Sequence, residues 1–229
     1  QINAFVDKSL ASGLAKGTVA ALNYANLISS MILTVTATVL VTLVYPKLTQ
    51  ANALQDHERM NRIMEMGMNL VFIIAAPCTL GAMVYSGPVI QAVYERGAFD
   101  TASTALTEPA FFWYAAGILF QALALLLTKL YYSMGNTKTP VYYAAASVTI
   151  NIALNLALVE SMQQGGLGLA TSIAAGVNTA LLYIGLRRRY PQLVLLRSKR
   201  KTVAILAATL LSVGISRLCY DCVAAQGLP

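Results

Sequence analysis

Apolar residues gather into six long runs, at roughly 18–45, 68–94, 103–132, 139–160, 166–187 and 202–222. Each is long enough for a transmembrane helix, which needs about 20 residues to cross a hydrocarbon core near 30 Å. None shows the alternation over about ten residues that marks an outer-membrane barrel strand. The pattern therefore predicts an all-α, polytopic membrane protein. Residues 1–12 read as the end of a further helix, already cut, so the chain is expected to be a piece of something longer. It begins QINAFVDK, with no basic region ahead of an apolar core, and no signal peptide is visible.

The connections are polar and punctuated. Segment 45–67 mixes charges with Leu54, Met60, Ile63 and Met64, a spacing that suits an amphipathic helix on the membrane surface. SMGNTKTP (133–140) reads as a turn, with Gly135-Asn136 as breaker and Pro140 opening the next helix. QQGG (163–166) is a short turn, and 187–201 is a basic loop. In AVYERGAFDTAST (92–104), Gly97 permits a tight bend and Asp100 can cap the helix that follows. That segment has no nucleophile–base pair and no metal-ligand cluster, so it reads as a bend and a helix start.

Composition agrees with the bilayer reading. Of 229 residues, 57% are hydrophobic and 11% charged, where a soluble domain carries about 25% charged residues. Mean hydropathy is +0.63. The net charge of +7 would suggest nucleic acid in a soluble protein. Here the cations sit between apolar runs, where topology explains them. Connections 45–67, 129–140 and 187–201 hold twelve of the sixteen Lys and Arg residues, while Lys8, Lys16, Arg96 and Arg217 lie on the other side. The positive-inside rule puts the first set in the cytoplasm and 92–104 outside.

Candidate chemistry lies inside the spans, where polar groups need partners. Asn26, Ser30, Thr34 and Thr38 recur every fourth residue, with Asn23 beside them. Ser147, Asn151 and Asn155 repeat the pattern. Either stripe can serve helix–helix packing or a hydrated path. Gly168, Ser172, Gly176 and Ala180 form a small-residue stripe, for which packing is the favoured reading. Asp7 and Lys8 read as a pair near the outer surface, Glu108 as a carboxylate in solvent, Lys129 as a snorkelling cation and His57 as solvated. Cys78 reads as a small core residue, and Cys219-x-x-Cys222 lacks the βαβ setting of a redox motif. No Walker A, H-E-x-x-H or G-x-S-x-G occurs. No cofactor is expected, and the chain reads as a non-enzymatic transporter with a polar interior path.

Several segments in order go further: VDKSLASGLAKGTVAALNYAN (6–26), ERGAFD (95–100), YYSMGNTKTP (131–140), NIALNLAL (151–158) and GLGLATSIAAGVNTALL (166–182). Together they closely resemble the MurJ (MviN) family of lipid II flippases, within the MOP exporter superfamily of MATE and Wzx-type transporters. The resemblance implies two lobes of transmembrane helices around a central cavity. Residues 1–12 would be the end of helix seven and the six runs helices eight to thirteen. The chain would then be most of the second lobe, incomplete at both ends, its partner the first lobe of the same polypeptide. The implied task is to move lipid II, a polyprenyl-diphosphate glycolipid, from the inner to the outer leaflet of the bacterial cytoplasmic membrane by alternating access, in cell wall biogenesis. Membrane lipid is the other expected partner. The implied cavity residues are Asn23, Asn26, Ser30, Thr34, Asn151 and Asn155, with Asp7 and Lys8 as outer gate. The chain departs from the family pattern at Leu27, where an arginine usually follows the Tyr-Ala-Asn of 24–26, and at Leu125, one turn before Lys129. A flippase for another polyprenyl-diphosphate glycan, or a non-transporting scaffold of the same fold, are the competing readings.

Overall fold

A computed structural model describes residues 2–11, 13–14, 16–193 and 199–225 of the chain. The order is α1 (Ile2–Ala11), α2 (Thr18–Val39), a π-helical turn (Leu40–Val44), α3 (Tyr45–Ala53), α4 (His57–Val84), α5 (Ser86–Tyr94), α6 (Thr101–Ser133), α7 (Lys138–Arg189) and α8 (Lys199–Ala225). The all-α, polytopic expectation holds. Among the described residues, five continuous helical stretches are long and apolar enough to cross a membrane. One of them, α7, has 52 residues and would be about 78 Å long if straight, far more than a bilayer core. It breaks at Gln163 (φ 50, ψ −129) into limbs 138–162 and 164–189. The limbs run antiparallel, since the Ser147 hydroxyl donates to the Ala174 carbonyl at 2.7 Å and Asn151 Nδ2 to Thr171 Oγ1 at 3.3 Å. The break falls inside the predicted QQGG turn.

Segment 45–67 differs from expectation. No separate surface helix forms there. The helix that starts at Thr18 runs on through the π turn to Ala53, and α4 starts at His57. Gln55 takes a left-handed conformation (φ 53), and Asp56 caps α4 by accepting from the Arg59 amide at 2.8 Å. Of the apolar positions that suggested a surface helix, Met60, Ile63 and Met64 are core, together with Leu48, and only Leu54 is exposed. Their periodicity is that of any helix packed on one side, and it carries no information on what covers that side. Of the basic loop, Arg187, Arg188 and Arg189 form the last turn of α7, where cations complement the helix dipole. Residues 194–198 lie outside the described residues.

Helix α6 is the hub. In its apolar stretch 61% of residues are buried, against 6% in α8. It packs on α7, α2, α4 and α5, and two hydrophobic clusters lie along it. One, toward the basic connections, joins Leu40, Val44, Met64, Leu126, Leu130 and Leu186. The other, toward the 92–104 loop, joins Leu22, Ile28, Ile90, Phe111, Ile118 and Leu167.

Proline explains the break at Tyr85. Pro88 has no N–H for the Val84 carbonyl. Arg217 of α8 reaches that carbonyl with Nη1 at 3.4 Å and lies over the Tyr85 ring. The 92–104 segment is the bend that the sequence predicts. Gly97 has φ 61, and Asp100 accepts from the Ser103 amide at 2.9 Å and its hydroxyl at 2.8 Å. Those two donors, the amide first, hold the Asp100 carboxyl below its ordinary value.

Candidate functional site

The polar stripe of α2 turns away from the core. Ala21, Ala25, Ile28 and Ser29 are buried, and Asn23, Asn26, Ser30 and Thr34 are exposed. The stripe is stitched along its own helix. Ser30 donates to Asn26 Oδ1 at 2.9 Å, Thr34 to the Ser30 carbonyl at 2.7 Å, and Thr38 and Thr42 repeat the four-residue step. Such back-bonding satisfies the hydroxyls without another helix, and it loosens the backbone ladder. The π turn begins two residues after Thr38.

Upper α2 forms one wall of an open cleft of about 400 Å³, lined by Asp7, Leu22, Asn23, Tyr24, Asn26, Leu27, Ser30 and Tyr114. Thr34 continues the stripe one turn beyond the lining. Leu27, at the position where the family pattern carries arginine, is 49% exposed in the cleft. Tyr24 stands at its edge. Its ring meets Tyr94 at 4.7 Å and Phe99 at 5.3 Å, and the Tyr94 hydroxyl donates to the Tyr24 carbonyl at 3.4 Å. The Asn23 side chain makes no hydrogen bond within the described residues.

Behind the cleft lies a buried polar knot. Asn155 Nδ2 donates to Asp7 Oδ1 at 2.6 Å and to Asn151 Oδ1 at 3.2 Å. The Tyr114 hydroxyl is turned to the Asp7 carboxylate, with Asn26 and Thr171 beside it. The knot joins α1, α2, α6 and both limbs of α7. Asn151 and Asn155 are fully buried, so they line no open surface; they position Asp7. Asp7 itself is 6% exposed, which corrects the expectation of a surface pair with Lys8. Its face of α1 packs on α7, and a carboxylate placed there must find donors rather than water. The Lys8 side chain lies outside the described residues. Among the described residues no three His, Cys, Asp or Glu side chains come together as metal ligands. The knot offers oxygen donors of the hard type: one carboxylate, three amides and two hydroxyls.

Other candidates are structural. Glu108 is not left in solvent: it accepts from the Ser86 hydroxyl at 3.1 Å and so ties α6 to α5. Lys129 lies over the rings of Tyr45 and Tyr132, a cation–π setting at the end of its span. His57 is exposed. Sequence reasoning missed Tyr114, Thr171 and Tyr24. A tyrosine inside a span needs a partner for its hydroxyl, and that signal was available for Tyr114 but was not used.

Known proteins resemble the chain over most of its length. The sequence profile of the family described as Lipid II flippase MurJ matches residues 1–223. A Rickettsia prowazekii protein described as probable lipid II flippase MurJ is 32% identical, over 80% of this chain and 36% of its own. A Vibrio cholerae protein of the same description is 31% identical, over 81% and 35%. A Burkholderia cenocepacia protein described as lipid II flippase MurJ is 26% identical, over 82% and 37%. The chain thus spans little more than a third of the length of these curated relatives. In shape it superposes on a solved structure described as lipid II flippase MurJ, inward closed conformation, with a TM-score of 0.84, covering 96% of this chain and 45% of that one at 24% identity. That likeness bears on the fold. Matched by the family profile across nearly all its residues, and built on the same helical fold, the chain belongs to the lipid II flippase MurJ family.

Proposed function

We propose that the full-length protein carries lipid II from the inner to the outer leaflet of the bacterial cytoplasmic membrane, and that this chain is most of the second of its two lobes. One observation carries the reading. Upper α2, in a span of high hydropathy, turns amides and a hydroxyl outward into an open cleft instead of burying them. In hydrocarbon such groups are costly, and a hydrated cavity facing another lobe gives them water or ligand. Moving a diphosphate and its sugars through the bilayer unaided is far more costly still. Rocking of two lobes about a fixed site avoids that crossing. Transport of this kind needs no covalent chemistry. Asp7, held by Asn155, makes the α1 joint the place where the outer gate moves, with Lys8 beside it.

A second reading, a flippase for a different polyprenyl-diphosphate glycan, is compatible with Leu27 standing in the cleft where the family pattern carries arginine. The test is complementation. The full-length gene product is expressed in a bacterium depleted of its own lipid II flippase, unaltered and with Leu27→Arg. Rescue by the unaltered protein is expected. Rescue by Leu27→Arg alone would show that the cavity serves another glycan. Failure of both, at normal membrane levels, would overturn the lipid II reading and favour a different glycolipid or a scaffold.

A further inference from the structure

The cleft has the wrong chemistry for phosphate. None of its eight lining residues is Lys or Arg, and the carboxylate among them would repel an anion. What it does present is an aromatic ring, two amides and a hydroxyl. We infer that this lobe's cleft binds the saccharide of the head group, with Tyr24 as the stacking surface and Asn23, Asn26 and Ser30 as hydrogen-bonding wall. The inference rests on the flippase reading and deepens it.

Each part has a physical reason. A sugar ring offers C–H bonds of slight positive charge on its faces and hydroxyl or acetamido groups at its rim. An aromatic face is negative and apolar, so it takes the C–H face. A side-chain amide offers both donors and an acceptor and so matches a rim of mixed polarity. Tyr24 is held in place for this work. Tyr94 and Phe99 pack on its ring and Tyr94 holds its backbone, yet 38% of it stays exposed. A ring fixed before binding loses little entropy on binding. Asn23, lying alongside, keeps its amide unspent. Leu27 fits here too: it adds apolar surface next to the ring, where an arginine would bring charge. The diphosphate is left to groups outside this lobe.

The test uses the full-length protein in nanodiscs and three ligands: lipid II, undecaprenyl diphosphate, and a polyprenyl diphosphate bearing an unrelated oligosaccharide. Wild type, Tyr24→Ala, Tyr24→Phe and Asn23→Ala are compared. Wild type should prefer lipid II to undecaprenyl diphosphate. Tyr24→Ala should weaken lipid II about tenfold, the scale of a lost aromatic anchor, and leave undecaprenyl diphosphate within about twofold. Tyr24→Phe should keep the preference, because the ring and not the hydroxyl carries it. Asn23→Ala spends no internal bond, so it reads the same site without a folding cost; it should weaken lipid II and spare undecaprenyl diphosphate. Equal losses for both ligands, or no loss with Tyr24→Ala and Asn23→Ala, overturn the saccharide assignment and leave the flippase reading standing. A Tyr24-dependent preference for the unrelated glycolipid over lipid II upholds the saccharide site and overturns lipid II as substrate.

Discussion

Substituting Gly168 and Gly176 by alanine separates two positions that the small-residue stripe treats as equals. Both lie on the second limb of α7, eight residues apart. At Gly168 a Cβ would stand 2.8 Å from the Ala110 carbonyl oxygen, 3.1 Å from Trp113 Cβ and 3.3 Å from the Tyr114 amide nitrogen. Two of these are backbone atoms of α6 and no rotamer relieves them. The helices would have to part by about 0.5 Å to restore normal contact. Overpacking of this kind costs about 1–3 kcal/mol. At Gly176 the nearest atoms belong to the Phe120 ring at 3.9 Å, and an apolar groove of about 480 Å³ lies beside it. Alanine fits there, and its helix propensity favours it by up to about 1 kcal/mol over glycine. The same propensity gain offsets part of the cost at Gly168, so the two variants should differ by about 1–3 kcal/mol. At about 2–4 °C per kcal/mol for a domain of this size, Gly168→Ala should melt about 2–12 °C below Gly176→Ala. The assay is thermal unfolding of the full-length protein in detergent, read by tryptophan fluorescence or by aggregation. Equal melting temperatures, or a lower one for Gly176→Ala, would refute the close approach of α6 and α7 at Gly168.

Two further outcomes are expected. Asn155→Leu leaves the buried Asp7 carboxylate without its 2.6 Å amide donor, and should destabilise the fold by about 1–3 kcal/mol; adding Asp7→Asn should restore part of the loss, and strict additivity in the double variant would contradict the contact. The Asp100 cap should be acid-sensitive: its carboxyl is lowered by the Ser103 amide and hydroxyl, so its contribution is complete above the ordinary value of 3.8 and fades as pH falls below it. Hydrogen exchange in the first turn of α6 should therefore quicken, relative to the helix interior, as pH falls from about 4 to about 2 in the wild type; Asp100→Asn, which can still cap, should remove that pH dependence.

Element type and, only roughly, the number of spans were written in the sequence. Twenty or more apolar residues leave a chain in lipid one way to satisfy its backbone, so the runs had to be helices. Asp100, Gly97 and the turn at 163–166 were readable for a similar reason, because caps and bends depend on near neighbours. The 45–67 segment was not readable, since one apolar face looks the same whether it meets lipid or protein. The four-residue polar stripes were equally blind to their surroundings. Asn26 with Ser30, and Asn151 with Asn155, share one spacing, yet the first pair opens to a cleft and the second is sealed behind Asp7. Periodicity names a face of a helix, and only the placing of α1 and α6 against α2 and α7 decides what that face meets. So the sequence by itself determined the helices, their order and the family. The tertiary structure alone decided that Asp7 is buried, that Tyr114 ties four elements together and that Leu27 stands in the open. Burial and hydrogen-bond partners at these positions arise between residues as many as 148 apart in the chain, where no local pattern reaches.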